Sequence, residues 1–220
     1  MNYIKVCGMR DAENIREVER LGIDMMGFIC WEGSPRFVRE VPAYLPECPR
    51  VGVFVNPSLD YVQRRVEAFG FSYVQLHGSE SPEFCQAVRK RTGCKVIKAI
   101  SIQTPSNSPL KGKDSAVESL PIKGEVWRGS AVDGTLLLFD TKCPTHGGSG
   151  RKFSWDVLRD YRGELPFLLS GGIGPEDVGA LRQFHHDKCL GIDINSRFET
   201  EPGIKDVEKI RQFIAALRKS

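Results

Sequence analysis

LLSGGIGPEDVGALRQF, residues 168–184, holds one whole unit of the fold. It opens on the last two residues of an apolar run, Phe167–Leu169, without the polar alternation of a half-exposed strand. Such a run reads as a strand buried on both faces of a parallel sheet. Gly171-Gly172 make a turn, and Pro175 stands at the opening position of a helix whose Val178, Leu181 and Phe184 share one face. Parallel strands need a crossover to return the chain, and a helix of this kind supplies it.

The same unit recurs outward in both directions. Apolar runs stand at Ile4–Cys7, Asp24–Ile29, Val51–Val55, Tyr73–Leu76, Lys95–Ile100, Leu136–Phe139 and Leu190–Ile194. Helical stretches with start and stop signals lie between them. Asp11 can cap a helix whose Ile15, Val18 and Leu21 share a face and which Gly22 stops, and Ser81-Pro82 opens another that carries Phe84 and Val88. Eight strands in strict alternation with helices predict an α/β fold, a (β/α)8 TIM barrel of eight parallel strands forming a single domain over residues 1–220. A doubly wound open sheet is the runner-up, but no GxGxxG follows any strand. A long irregular excursion between strands five and six, residues 101–133, breaks the rhythm with Ser, Pro, Gly and Lys and at most one short helix at Asp114–Leu120.

Composition narrows the function. Net charge is +3, and the densest basic run, Arg89-Lys90-Arg91, closes a predicted helix, so nucleic acid is not the expected partner, although a small anion is compatible. No stretch approaches the roughly 18 apolar residues of a membrane span, and the start lacks the pattern of a signal peptide. Seven cysteines without a CxxC pair read as reduced thiols of a cytoplasmic protein. His185-His186 with Cys189 has metal-like spacing but no matching ligand set in the sequence nearby, so no metal is expected.

In a parallel barrel, chemistry gathers where strands give way to the following loops. Strand one ends in Cys7, strand four in Gln75 and His77, and strand six in Asp140; Arg36 lies in the loop after strand two. The turn Gly171-Gly172 before a helix suits a phosphate, because bare backbone N–H groups and a helix dipole both favour an anion. Asn195-Ser196 after strand eight can add donors from the neighbouring loop. A second glycine cluster, THGGSGRKF, lacks the GxxxxGK[ST] spacing of a P-loop and reads instead as a lid over the site, around Gly147–Gly150.

The strand-end motifs KVCGMRD, GFICWEGSPRFV, VGVFVN, YVQLHGSE, LLFDTK, GGSGRKFSW, LLSGGIGPEDV and GIDINSRFETEPGIKD follow one another in the order found in phosphoribosylanthranilate isomerases, and the chain resembles that family from residue 4 to about residue 216. The resemblance implies an enzyme of tryptophan biosynthesis that performs an Amadori rearrangement of N-(5′-phosphoribosyl)anthranilate without a cofactor, as a monomer or homodimer. It implies Cys7 as general base, Asp140 as general acid and Arg36 as holder of the anthranilate carboxylate. It also implies Gly171, Gly172, Asn195 and Ser196 as the phosphate site. That chemistry asks for a Cys7 thiol more acidic than the usual ~8.5 beside a carboxyl that keeps its proton, the two titrating as a coupled pair. Two features depart from the family: Arg197 stands where a glycine is usual, and the 101–133 segment is long.

Three rivals remain at this point. A barrel isomerase of histidine biosynthesis would use paired Asp residues and two phosphate sites. A Cys-dependent hydrolase would pair Cys7 with His77 and need an oxyanion hole. A non-catalytic phosphate-binding barrel would bind without turnover.

Overall fold

The computed structural model describes residues 3–102, 135–141 and 155–219. Eight parallel strands close into a barrel in sequence order: β1 (Tyr3–Val6), β2 (Met25–Ile29), β3 (Arg50–Phe54), β4 (Tyr73–Leu76), β5 (Lys95–Ile102), β6 (Thr135–Thr141), β7 (Phe167–Leu169) and β8 (Cys189–Ile194). The ring is completed by β8 against β1, with Ile4 opposite Ile192 and Lys5 opposite Asp193. All eight strands predicted from the apolar runs are present. The 101–133 excursion, apart from the two residues that extend β5, and the Gly147–Gly150 loop lie outside the described residues.

The strands are apolar on both faces because two cores share them. Inside the barrel pack Cys7, Met25, Val51, Val53, Ile97, Ala99, Leu136, Leu138 and Leu168. Outside, Ile4, Val6, Phe28, Phe54, Phe139 and Phe167 meet the helices α1 (Ala12–Glu19), α2 (Leu59–Phe69), α3 (Pro82–Thr92), α4 (Val178–Gln183) and α5 (Val207–Arg218). The outer layer is rich in aromatics, with Phe69 stacked on Phe71 and Phe54 edge-on to Phe71. Along β1 the two faces separate cleanly: Ile4 and Val6 face outward, whereas Lys5 and Cys7 face in.

The capping signals hold locally. Asp11, Ser58, Ser81 and Asp206 each accept a backbone N–H in the first turn of α1, α2, α3 and α5. Two helices are shorter than the sequence suggests. α1 ends at Glu19, so Leu21 packs from the following turn, where Gly22 adopts φ +70°. Pro175 opens only a 3-10 turn, Pro175–Asp177, before the six residues of α4, and Phe184 caps its end. After β8 the chain makes a 3-10 turn, Ser196–Phe198, and then a small hairpin of β9 (Glu199–Glu201) and β10 (Ile204–Lys205). No helix among the described residues is long and apolar enough to cross a membrane.

Candidate active site

Cys7 sits at the end of β1, 4% exposed, with its N–H donating to Ile194 O of β8 at 2.9 Å. Two glycines make room for it. Gly27 on β2 must lack a side chain, since a Cβ there would come 2.8 Å from the thiol sulfur. Gly8 turns the chain at φ +79°, and a Cβ there would strike both Asn195 Oδ1 at 2.7 Å and Arg36 Cδ at 2.8 Å. Those two overlaps bring Arg36 and Asn195, far apart in sequence, together against the residue next to the thiol.

Beneath the thiol lies a buried ion pair. Lys5 is fully buried, and its Nζ donates to Asp193 Oδ1 at 2.9 Å. Burial alone would lower the lysine pKa, but Asp193 and Cys7 outweigh it and hold the ammonium above its ordinary value. Cys7 moves upward: burial raises its pKa more than Lys5 and Lys205 lower it. The expectation of a thiol made acidic in the resting site is therefore reversed. The physical reason is that an uncharged SH group is easier to keep in this dry interior than a thiolate.

Asp140 is the last residue but one of β6 and is partly exposed. Its Oδ2 lies 3.2 Å from His77 Nε2, and His77 Nδ1 lies 3.0 Å from Gln75 Nε2. With the Gln75 amide donating to Nδ1, the imidazole is left to donate its Nε2–H to the Asp140 carboxylate. Both ring nitrogens of His77 are engaged in this way, which leaves it no free nitrogen to act as the base of a Cys7 hydrolase.

Arg36 comes from the loop after β2, which returns to the strand through Val38 N–H donating to Ile29 O at 2.9 Å. Its Nε donates to Glu199 Oε1 and Oε2 at 2.8 and 3.0 Å, and its Nη2 to Oε2 at 2.6 Å. Glu199 also accepts from Lys205 Nζ at 2.6 Å, and the same ammonium reaches Asn195 Oδ1 at 2.8 Å. Lys205 is held in place by Asn14 of α1, whose amide bonds its backbone on both sides, at 2.7 and 2.8 Å. Burial lowers the pKa of Lys205, with Glu199 opposing. Burial would raise Glu199, but the bonds from Arg36 and the charge of Lys205 bring it below the ordinary carboxylate value.

The glycine turn is as expected in backbone and different in its helix. Gly171 and Gly172 both have positive φ, +90° and +70°, a pair of conformations that only glycine adopts without strain. The helix dipole expected behind them is weak, because the helix is short and its first turn is capped internally: Asp177 Oδ2 takes the Gly174 N–H at 2.7 Å. Any anion here is left to the glycine turn and to the loop at Asn195 and exposed Ser196. Arg197 points to Glu176, Nη2 to Oε1 at 2.6 Å, in a half-exposed pair that links the two loops.

The rim thus collects Cys7, Arg36, Asn195 and the Lys205–Glu199 pair on one side, and Asp140 with His77 three strands round the barrel. Reading the strand ends alone missed Lys5, Asp193, Lys205 and Glu199. A signal was available for the first two, since each is a charged residue inside an otherwise apolar strand.

Several known proteins similar to this chain share one description. A family model described as N-(5′-phosphoribosyl)anthranilate (PRA) isomerase matches residues 4–216. An N-(5′-phosphoribosyl)anthranilate isomerase of Phocaeicola vulgatus is 44% identical over 216 residues, 98% of this chain and 97% of the relative. The crystal structure of phosphoribosyl anthranilate isomerase from Thermotoga maritima superposes with a TM-score of 0.75 at 28% identity, covering 99% of each chain. Another solved phosphoribosyl anthranilate isomerase, in complex with reduced 1-(o-carboxyphenylamino)-1-deoxyribulose 5-phosphate, has a TM-score of 0.72 at 26% identity, again over 99% of each. The chain belongs to the N-(5′-phosphoribosyl)anthranilate isomerase family.

Proposed function

We propose that this chain performs its family's isomerisation with Asp140 as the acid and Cys7 as the base. The reaction is a step of tryptophan biosynthesis: N-(5′-phosphoribosyl)anthranilate becomes 1-(2-carboxyphenylamino)-1-deoxyribulose 5-phosphate. Asp140 gives a proton to the ribose ring oxygen, the C1′–O bond breaks, and an iminium forms between C1′ and the anthranilate nitrogen. Cys7, as thiolate, removes the C2′ proton, and the electron pair moves into a C1′–C2′ double bond to give an enolamine. Loss of the enol proton and protonation at C1′ yield the ketose. Each positioned proton transfer is worth roughly 10²–10⁴-fold. Proton transfers alone complete the scheme, so it invokes no cofactor.

The observation that carries this reading is the setting of Cys7, a dry thiol flanked by the buried cations Lys5 and Lys205 at the mouth of the barrel. In the empty site the thiol keeps its proton; that proton passes to solvent before the C2′ step, and the positive iminium formed beside the sulfur on ring opening favours the thiolate. His77, 3.2 Å from Asp140, orients the carboxyl towards the ring oxygen. Arg36 holds the anthranilate carboxylate, and Gly171, Gly172, Asn195 and Ser196 hold the sugar phosphate. The protein works in the cytoplasm as a single barrel domain, monomeric or as a homodimer.

The test is turnover of freshly generated phosphoribosylanthranilate, followed by loss of its fluorescence, for the wild type and Cys7→Ser. Rapid turnover in the wild type should fall by roughly 10²-fold or more in the variant. A wild type without turnover would sink the isomerase reading, and an active Cys7→Ser would remove the thiol as base.

A further inference from the structure

We infer that Glu199 is a positioning residue that fixes Arg36 for the substrate carboxylate and ties it, through Lys205 and Asn195, to the phosphate-binding loop. The inference rests on the reading of Arg36 given above and assigns what orients it.

A guanidinium has five N–H donors arranged along two usable edges. Glu199 occupies one edge of Arg36 completely, with contacts of 2.8 and 3.0 Å to Nε and 2.6 Å to Nη2. Among the described residues nothing bonds Nη1, so the second edge, formed by Nη1 and the remaining Nη2 hydrogen, is left for a bidentate carboxylate. A free arginine on a loop would sample many rotamers and lose about 2 kcal/mol of rotamer entropy on being fixed. Here that ordering is complete before a ligand arrives, and the side chain is only 15% exposed.

The orienting carboxylate is itself rigid. Glu199 is 5% exposed, accepts from Lys205 at 2.6 Å and from the Gly203 N–H at 3.1 Å, and therefore cannot swing out to meet the substrate. Lys205 is clamped by Asn14 on α1, and its ammonium reaches Asn195 Oδ1 at 2.8 Å. Gly8 completes the arrangement, since any side chain at that position would overlap both Arg36 and Asn195. One continuous set of bonds therefore spans from the carboxylate-binding residue to the loop proposed for the phosphate. It fixes the distance between the two charged ends of a substrate that must be straddled by Cys7 and Asp140.

The experiment measures competitive inhibition by two fragments, benzoate for the aryl carboxylate and inorganic phosphate for the sugar phosphate, in the wild type, Glu199→Gln and Arg36→Ala. Glu199→Gln should weaken benzoate about tenfold or more and phosphate by a clearly smaller factor, carried through Lys205 and Asn195, while KM rises more than kcat falls. Equal weakening of both fragments would reduce Glu199 to a structural residue, and unchanged benzoate inhibition would overturn the proposal outright. Arg36→Ala separates the two layers of argument. If it leaves benzoate unaffected, the Arg36 assignment itself fails; if it weakens benzoate and Glu199→Gln does not, only the positioning role fails. Should Glu199→Gln not fold, Glu199→Asp, which keeps the charge for Lys205 but retracts it from Arg36, decides by the same criteria.

Discussion

Lys5 and Asp193 stand opposite each other in the β1–β8 register, and their side chains meet at 2.9 Å inside the barrel, two residues before the thiol of Cys7. Neither charge has access to solvent worth the name: side-chain exposure is 0% and 6%. Removing one partner strands the other. Lys5→Met should destabilise the fold by roughly 3–5 kcal/mol, whereas Lys5→Met combined with Asp193→Leu should recover most of that loss. Urea denaturation of the single and double variants checks it. A single variant as stable as the wild type would mean that Asp193 readily takes up a proton, and the pair would then be no constraint on the site.

Burial dominates at every described cysteine. Cys48 is pushed up to about 12 and Cys85 and Cys189 to about 11, and Cys7 also lies above its ordinary value. A group whose folded pKa is raised contributes stability in full below its unfolded pKa and loses it as pH climbs towards the folded one. The protein should therefore weaken between about pH 8.5 and 11. Its urea midpoint is expected to be lower at pH 10 than at pH 8. Alkylation of Cys7 by iodoacetamide, mapped by peptide mass, should be slow at pH 7 and still rising above pH 9 in the empty enzyme. Fast labelling that levels off by pH 7 would mean a resting thiolate.

Gly8 is a place where one methyl group should damage both fold and site. Its φ of +79° is unfavourable for alanine, and the added Cβ would overlap Arg36 and Asn195. Gly8→Ala should lose roughly 1–3 kcal/mol and raise KM through the displaced arginine. Thermal melting and steady-state kinetics on one preparation check both. Loss of stability with unchanged KM would show that Arg36 relaxes without consequence.

Arg197 gives the opposite expectation. Its pair with Glu176 is exposed at 43% and 48%, a setting where ion pairs contribute little. Arg197→Ala should change stability by no more than about 0.5 kcal/mol. A KM increase in that variant would show that the arginine leaves Glu176 to meet the phosphate.

The barrel was legible because strands buried on both faces write unbroken apolar runs, and all eight runs became strands. The residues at strand ends were legible for the same reason: Cys7 and Asp140 interrupt or finish runs that apolar residues would complete more cheaply. What could not be read was partnership. Nothing in GIDI or NYIKV says that Asp193 and Lys5 face each other, because the barrel closes through a contact 188 residues apart. Nor does FETEPGIKD announce that Glu199 and Lys205 face Arg36, since that depends on how a hairpin folds back over the rim. The acidity of Cys7 was misjudged from the opposite side, because chemistry says which protonation state a reaction needs and only burial says which one the empty site holds.

Asp140 carries the sharpest prediction for catalysis. If it donates the proton that opens the ring, Asp140→Asn should lower kcat by roughly 10²–10⁴-fold with little change in KM, because the acid is needed only as the ring bond breaks. His77 has both its nitrogens committed, one to Gln75 and one to Asp140, so it acts through the carboxyl and not on the substrate. His77→Gln alone should then slow turnover, and adding it to Asp140→Asn should slow it little further, since the second change removes a partner that no longer has an acid to orient. The cycle of two single variants and the double, all measured by kcat, separates these cases. Additive losses would give His77 an independent role, and near-normal kcat in Asp140→Asn would move the acid elsewhere on the rim.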